Sequence, residues 1–164
     1  MDWGTIFLYL HISGVIVGFG SSIAFPFIAA KAQSDPLNGA FALRVMTFIT
    51  ERVVEPGAIF VFLTGVGLIV ARGLNPLTTL WVALAIVLFL ITFVFANVVQ
   101  LRTLRRMVAM TAGAPAGASD PGSGTGGPPP PEFLALIAKA DKGGKFLTVM
   151  IFVLLALMVF KPTL

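Results

Sequence analysis

"LTTLWVALAIVLFLITFVFANVVQL", residues 77–101, holds no charged side chain, no glycine and no proline. Crossing the hydrocarbon core of a bilayer takes about 20 apolar residues in a helix, where every backbone N–H and C=O is bonded within the segment. This run is long enough, so it predicts a transmembrane helix. Upstream, Trp3 to about Ala30 is a second long apolar run, broken only by small polar residues, His11 and Pro26. Two shorter runs, 57–71 and 146–160, fall below the length of a span. Each is preceded by amphipathic sequence, residues 40–55 and 132–145, that continues the helical period, and Lys145 and Lys161 can snorkel at the ends of the last one. The expectation is an all-α integral membrane four-helix bundle, a single four-span membrane domain over 1–164 with spans at about 3–30, 57–71, 77–101 and 146–160.

Composition agrees: 57% of the 164 residues are hydrophobic and 11% charged, against about 25% charged in soluble domains. With no cysteine, disulfides, thiolate metal sites and cysteine nucleophiles are excluded. The first run is too long for a signal peptide and begins with Asp2 and no cation; although "AKA" at 30–32 imitates a cleavage site, it reads as a retained span.

Of the 11 Lys and Arg residues, all except Arg72 and Lys161 fall in the connections 31–56 and 102–145. The positive-inside rule then puts both long connections in the cytoplasm and both termini outside. Beside apolar helices, these cations and the net charge of +4 are expected to meet phospholipid head groups, not nucleic acid. "TAGAPAGASDPGSGTGGPPPPE" supplies almost nothing that packs, so 112–131 reads as a disordered cytoplasmic linker between helices three and four. "KAQSDPLNG" carries the turn chemistry that ends helix one, Pro56 marks a kink or a new helix start, and the short "ARGLNP" predicts helices two and three packed as an antiparallel hairpin.

His11, in "LYLHISGVIVGFG", is the only histidine of the chain. A strongly polar side chain within a span is costly and turns to the bundle interior. Helical counting places His11, Gly14 and Gly18, with Ser21 or Ser22, on one face. Two readings follow. In one, the bare strip lets another helix approach and the imidazole bonds across the contact. In the other, the strip admits a flat macrocycle, Gly14 and Gly18 line it, and His11 is the axial ligand of a haem b iron. A second metal ligand then has few sources. Met46, Met107, Met110 and Met150 lie toward the cytoplasmic side, so Met158, at His11's depth, is the partner a thioether ligand requires; a five-coordinate site and two His11 residues from a homodimer are the alternatives.

Glu51 and Glu55 in "TERVVEPG" offer paired carboxylates for a cation or a proton, or a solvated face with Arg52 as counter-ion. Thr92, Asn97 and Gln100 suit interhelical hydrogen bonds, Gly65 and Gly67 suit close packing, and Trp3, Tyr9 and Trp81 suit the outer aromatic belt. No Ser–His–Asp set, P-loop, GxGxxG or HExxH pattern is present.

Together "LHISGVIVGFG", "ERVVEPGAIFVFLTGVGLIV" and "LMVFKP" at 157–162 resemble the DUF2269 family of small bacterial integral membrane proteins, which looks related to CopD-like copper-resistance proteins and HemJ-type protoporphyrinogen oxidases. The likeness covers the chain apart from 112–131. The HemJ-type resemblance implies haem or porphyrin bound through a first-helix histidine, the place His11 occupies; the third-helix lysine those proteins use has no counterpart in 77–101. The CopD-like resemblance implies copper handling. Three functions follow as expectations: a b-type haem or porphyrin-binding membrane protein, with electron transfer, to quinone for example, as its activity; a non-catalytic accessory or packing subunit of a larger membrane complex; and metal-ion or small-solute transport.

Overall fold

The structure, a computed structural model, describes residues 2–34, 39–76, 78–111 and 130–162; the connection 112–129, expected to be a disordered linker, and 35–38 lie outside them. The described residues form helices and no strands. Four helices are long and apolar enough to cross a membrane: α1 Trp3–Ala32, α2 Gly39–Ala71, α3 Leu80–Thr111 and α4 Pro131–Phe160. The two short apolar runs are thus parts of helices of 33 and 30 residues. At about 1.5 Å per residue the longer reaches about 50 Å, against a hydrocarbon core of about 30 Å. The amphipathic segments are the surplus. Pro131, expected to close the linker, opens α4 instead, where its missing N–H is no loss.

The surplus builds a buried apolar cluster. At the end carrying the two long connections, Leu43 and Met46 of α2, Leu104 and Met107 of α3, and Phe133 and Leu136 of α4 form one buried cluster. Phe25, Ile28 and Ala29 of α1 pack against it. We call this end the head. Arg44 Nη2 reaches the Thr111 carbonyl there at 3.4 Å, and Arg105 Nε meets Glu51 Oε1 at 2.7 Å. The counter-ion of Glu51 is therefore on α3, not the neighbouring Arg52 expected from sequence.

Away from the head the bundle divides into pairs. α1 lies along α2, and α4 along α3. The hairpin expected of α2 and α3 holds at the head, where 39–49 meets 102–111. Toward the termini an aromatic contact links the pairs: Phe62 of α2 stacks on Phe89 of α3 with centroids 5.6 Å apart, and Phe89 in turn stacks on Phe93 of its own helix at 6.1 Å. The short connection after α2 turns at Gly73, with φ 61.

Between head and pairs, three helices change winding. α1 tightens to a 3₁₀ turn over Ser21–Ala24 just before Pro26, which has no N–H to continue the ladder. α2 and α3 widen to π turns over Thr50–Val54 and Ala96–Leu101. Pro56 follows the α2 bulge inside a continuous helix. At the far end Asp2 caps α1 by accepting from Thr5 N at 3.2 Å, and Lys161 closes α4 with its ammonium 5.8 Å from the Trp81 ring centroid. Trp3 and Tyr9 are 69% and 70% exposed.

Candidate functional site

His11, Gly14 and Gly18 share one buried face of α1, as the helical spacing predicts. What covers that face is α2. His11 is 8% exposed, and its Nδ1 lies 2.9 Å from the Val61 carbonyl. A carbonyl only accepts, so Nδ1 carries the proton and donates; in the neutral ring the lone pair is then at Nε2. Thr64 Oγ1 stands 3.4 Å from Nδ1 and is itself held by the Phe60 and Val61 carbonyls at 2.8 and 3.1 Å. Gly65 lies under the ring: a β-carbon there would come 3.1 Å from His11 Cε1. Gly67 does the same for Phe7, whose ring occupies the place of a β-carbon.

The glycine strip is filled along its length. A β-carbon on Gly14 would meet Phe60 and Val61 at 2.8 and 3.0 Å. One on Gly18 would come 3.1 Å from the Gly57 Cα, so the two backbones touch directly. This is the small-residue contact by which membrane helices approach when lipid gives no hydrophobic drive to associate. A macrocycle laid on Gly14 and Gly18 does not fit, because both positions already belong to α2. Nor does the packing bring Met158 to His11: Met158 is 36% exposed on α4, which runs along α3, while His11 faces α2.

The other polar side chains within the spans bond mostly at home. Thr92 Oγ1 donates to Leu88 O at 2.7 Å and Asn97 Nδ2 to Phe93 O at 2.9 Å, each on its own helix. Of the three side chains expected to bond between helices, Gln100 does so, donating from Nε2 to Ala140 O at 3.1 Å. Its Oε1 is buried without a partner and lies against Gly143, where a β-carbon would overlap it. Among the described residues no group of three or more His, Cys, Asp or Glu comes together as a metal site. Met46 and Met107 are head packing.

Of the α2 half of this site, sequence reasoning had Gly65 as a close-packing position but missed Gly57, Ala58, Val61 and Thr64. Gly57, Ala58, Val61, Thr64 and Gly65 recur at helical spacing as a mostly small stripe complementary to the glycines of α1. That stripe was the available signal.

Fold and site define a multi-pass α-helical membrane protein whose first two helices are joined by a histidine and a glycine seam. The chain belongs to the family described as "Predicted integral membrane protein (DUF2269)", matched over residues 5–162. No curated protein and no solved structure matches it.

Proposed function

We propose that this chain is a non-catalytic packing subunit of a membrane complex, oriented with its head and basic connections in the cytoplasm and both termini outside. The observation that carries the reading is the His11 clasp: an imidazole that donates to Val61 O at 2.9 Å, beside a strip whose two glycines are spent on Phe60, Val61 and Gly57. The histidine answers to a structural need. Thr64, Thr92 and Asn97 are likewise engaged with main-chain carbonyls of their own helices, which leaves little for a permeation path to use. From Gly144 to Phe160 no residue of α4 is buried within the chain, so this stretch offers its flanks to a neighbouring helix.

A second reading is favoured by the same hydrogen bond. Metal-ligating histidines usually donate one ring N–H to a carbonyl or carboxylate and bind through the other nitrogen, and Val61 sets His11 in that tautomer. Under this reading Nε2 of His11 would hold the iron of a haem b, or another metal, away from the glycine strip, and the group would supply electron transfer.

One preparation separates the two: protein expressed with haem supplementation, extracted gently, and measured by absorption, elemental analysis and native mass spectrometry, for wild type and His11→Ala. The packing reading expects no Soret band and no stoichiometric metal in either, a defined hetero-assembly in the wild type, and a stability loss of about 1–2 kcal/mol in the variant. A Soret band or bound metal lost in His11→Ala overturns it in favour of the second reading. A colourless, metal-free lone chain overturns both.

A further inference from the structure

The second feature built at the head side of the membrane is a groove between α3 and α4. It is an open groove of about 600 Å³. Its deep end is apolar, with Phe95 and Phe146 in edge contact, centroids 4.6 Å apart, and Val99 beside them. Its head-side rim carries Lys139 and Lys142. On α4 these lysines and Phe146 fall at i, i+3 and i+7, hence on one face. The groove is open because α4 presents Ala135, Ala138 and Gly143 beside Val99. It is held open from behind: the π turn of α3 places Gln100 against Gly143 and ties it to Ala140 O at 3.1 Å.

Charge and depth agree about the occupant. Asp141, the acid nearest in sequence to these lysines, pairs with Lys145 at 2.7 Å. Among the described residues neither Lys139 nor Lys142 has a carboxylate partner. Phe146 begins the uncharged run that ends at Phe160, so the lysines stand one and two helical turns above the start of the hydrocarbon, at head-group level. A ligand matching this groove is anionic at one end and aliphatic at the other. We propose that the α3–α4 groove is a binding site for an anionic phospholipid, with Lys139 and Lys142 on the phosphodiester and an acyl chain along Val99, Phe95 and Phe146. This proposal is independent of the role of His11.

The test uses the full chain in vesicles of roughly one part phosphatidylglycerol to four of phosphatidylcholine, with spin-labelled lipids reporting the motionally restricted fraction. Wild type is expected to prefer labelled phosphatidylglycerol over labelled phosphatidylcholine, and loss of each lysine should cost about fivefold in relative association. Lys139→Gln with Lys142→Gln should therefore abolish the preference, while Arg52→Gln with Arg106→Gln, which removes two charges at the same end, should retain most of it. Ala138→Leu fills the groove with no change of charge and should also abolish it. All these positions except Arg52 and Arg106 line the groove, and circular dichroism on each variant checks that the helices remain. Equal loss in the arginine control, or full preference in Ala138→Leu, would mean a diffuse positive field and no site. Competition by excess inorganic phosphate at matched ionic strength would mean a site for free phosphate and would overturn the lipid assignment.

Discussion

Gly57→Ala should open the α1–α2 seam. A β-carbon at 57 would sit 2.7 Å from the Gly18 Cα, with backbone on both sides and no rotamer to relieve it. Carbon atoms rest at about 3.5–4.0 Å, so the helices must part by roughly 1 Å. The His11–Val61 bond, one turn along α2 and 2.9 Å long, is then stretched past a useful hydrogen-bond length. Overpacking of this kind costs about 1–3 kcal/mol and an interhelical bond about 0.6–1.7, together about 2–4 kcal/mol. Gly18→Ala meets Gly57 at 3.1 Å and should cost less, about 1 kcal/mol. Gly20→Ala, with nothing within 4 Å, should be neutral or slightly stabilising. Titration with SDS from dodecylmaltoside micelles, followed by circular dichroism, should rank the midpoints in that order. The cycle with His11→Ala adds a sharper check: once Gly57→Ala has broken the bond, removing the imidazole should cost nearly nothing more. Equal midpoints for Gly57→Ala and wild type, or full additivity with His11→Ala, would refute the seam.

Four further outcomes follow from particular contacts. Gly67→Ala should be milder than Gly57→Ala in the same titration, because its obstacle is the Phe7 ring, a side chain that can rotate away. Gly143→Ala should destabilise by about 1–3 kcal/mol by displacing Gln100, and Gln100→Leu, which removes the unpartnered Oε1 together with the bond to Ala140 O, should cost less than about 1 kcal/mol. Glu51→Gln should shift stability by under about 1 kcal/mol, since its pair with Arg105 is exposed to solvent.

Much of this fold can be read from apolar run length, because the bilayer sets a helix length and forbids unpaired backbone. The runs 57–71 and 146–160 are short for a physical reason, and the amphipathic segments before them complete the helices as expected: the rest of α2 and α4 buries its apolar stripe in the head. Residues such as Leu43, Met46, Phe133 and Leu136 therefore look amphipathic, not membrane-like. At the site, a periodicity of 3.6 is enough to group His11 with Gly14 and Gly18. It does not say which helix covers them. Both α1 and α3 run antiparallel to α2 along the chain, and the choice of α1 as its close partner rests on matched small residues, Gly18 on Gly57 and His11 over Gly65. Such matching is a property of two stripes together and is invisible in either alone.

The π turn at Thr50–Val54 gives α2 two allegiances. A π turn takes up about one more residue than an α turn, so everything beyond it is rotated by about 100°: Leu43 and Met46 look into the head, while Gly57, Val61 and Thr64 look at α1. Arithmetically, the bulge is a one-residue insertion. Deleting Val53 should straighten the helix and turn the clasp away from His11, giving a chain that still inserts yet has lost its seam, with a larger fall in the SDS midpoint than any single glycine substitution. Restoring one alanine at the gap should bring the midpoint back, since the spare residue is needed for its angle and hardly for its side chain.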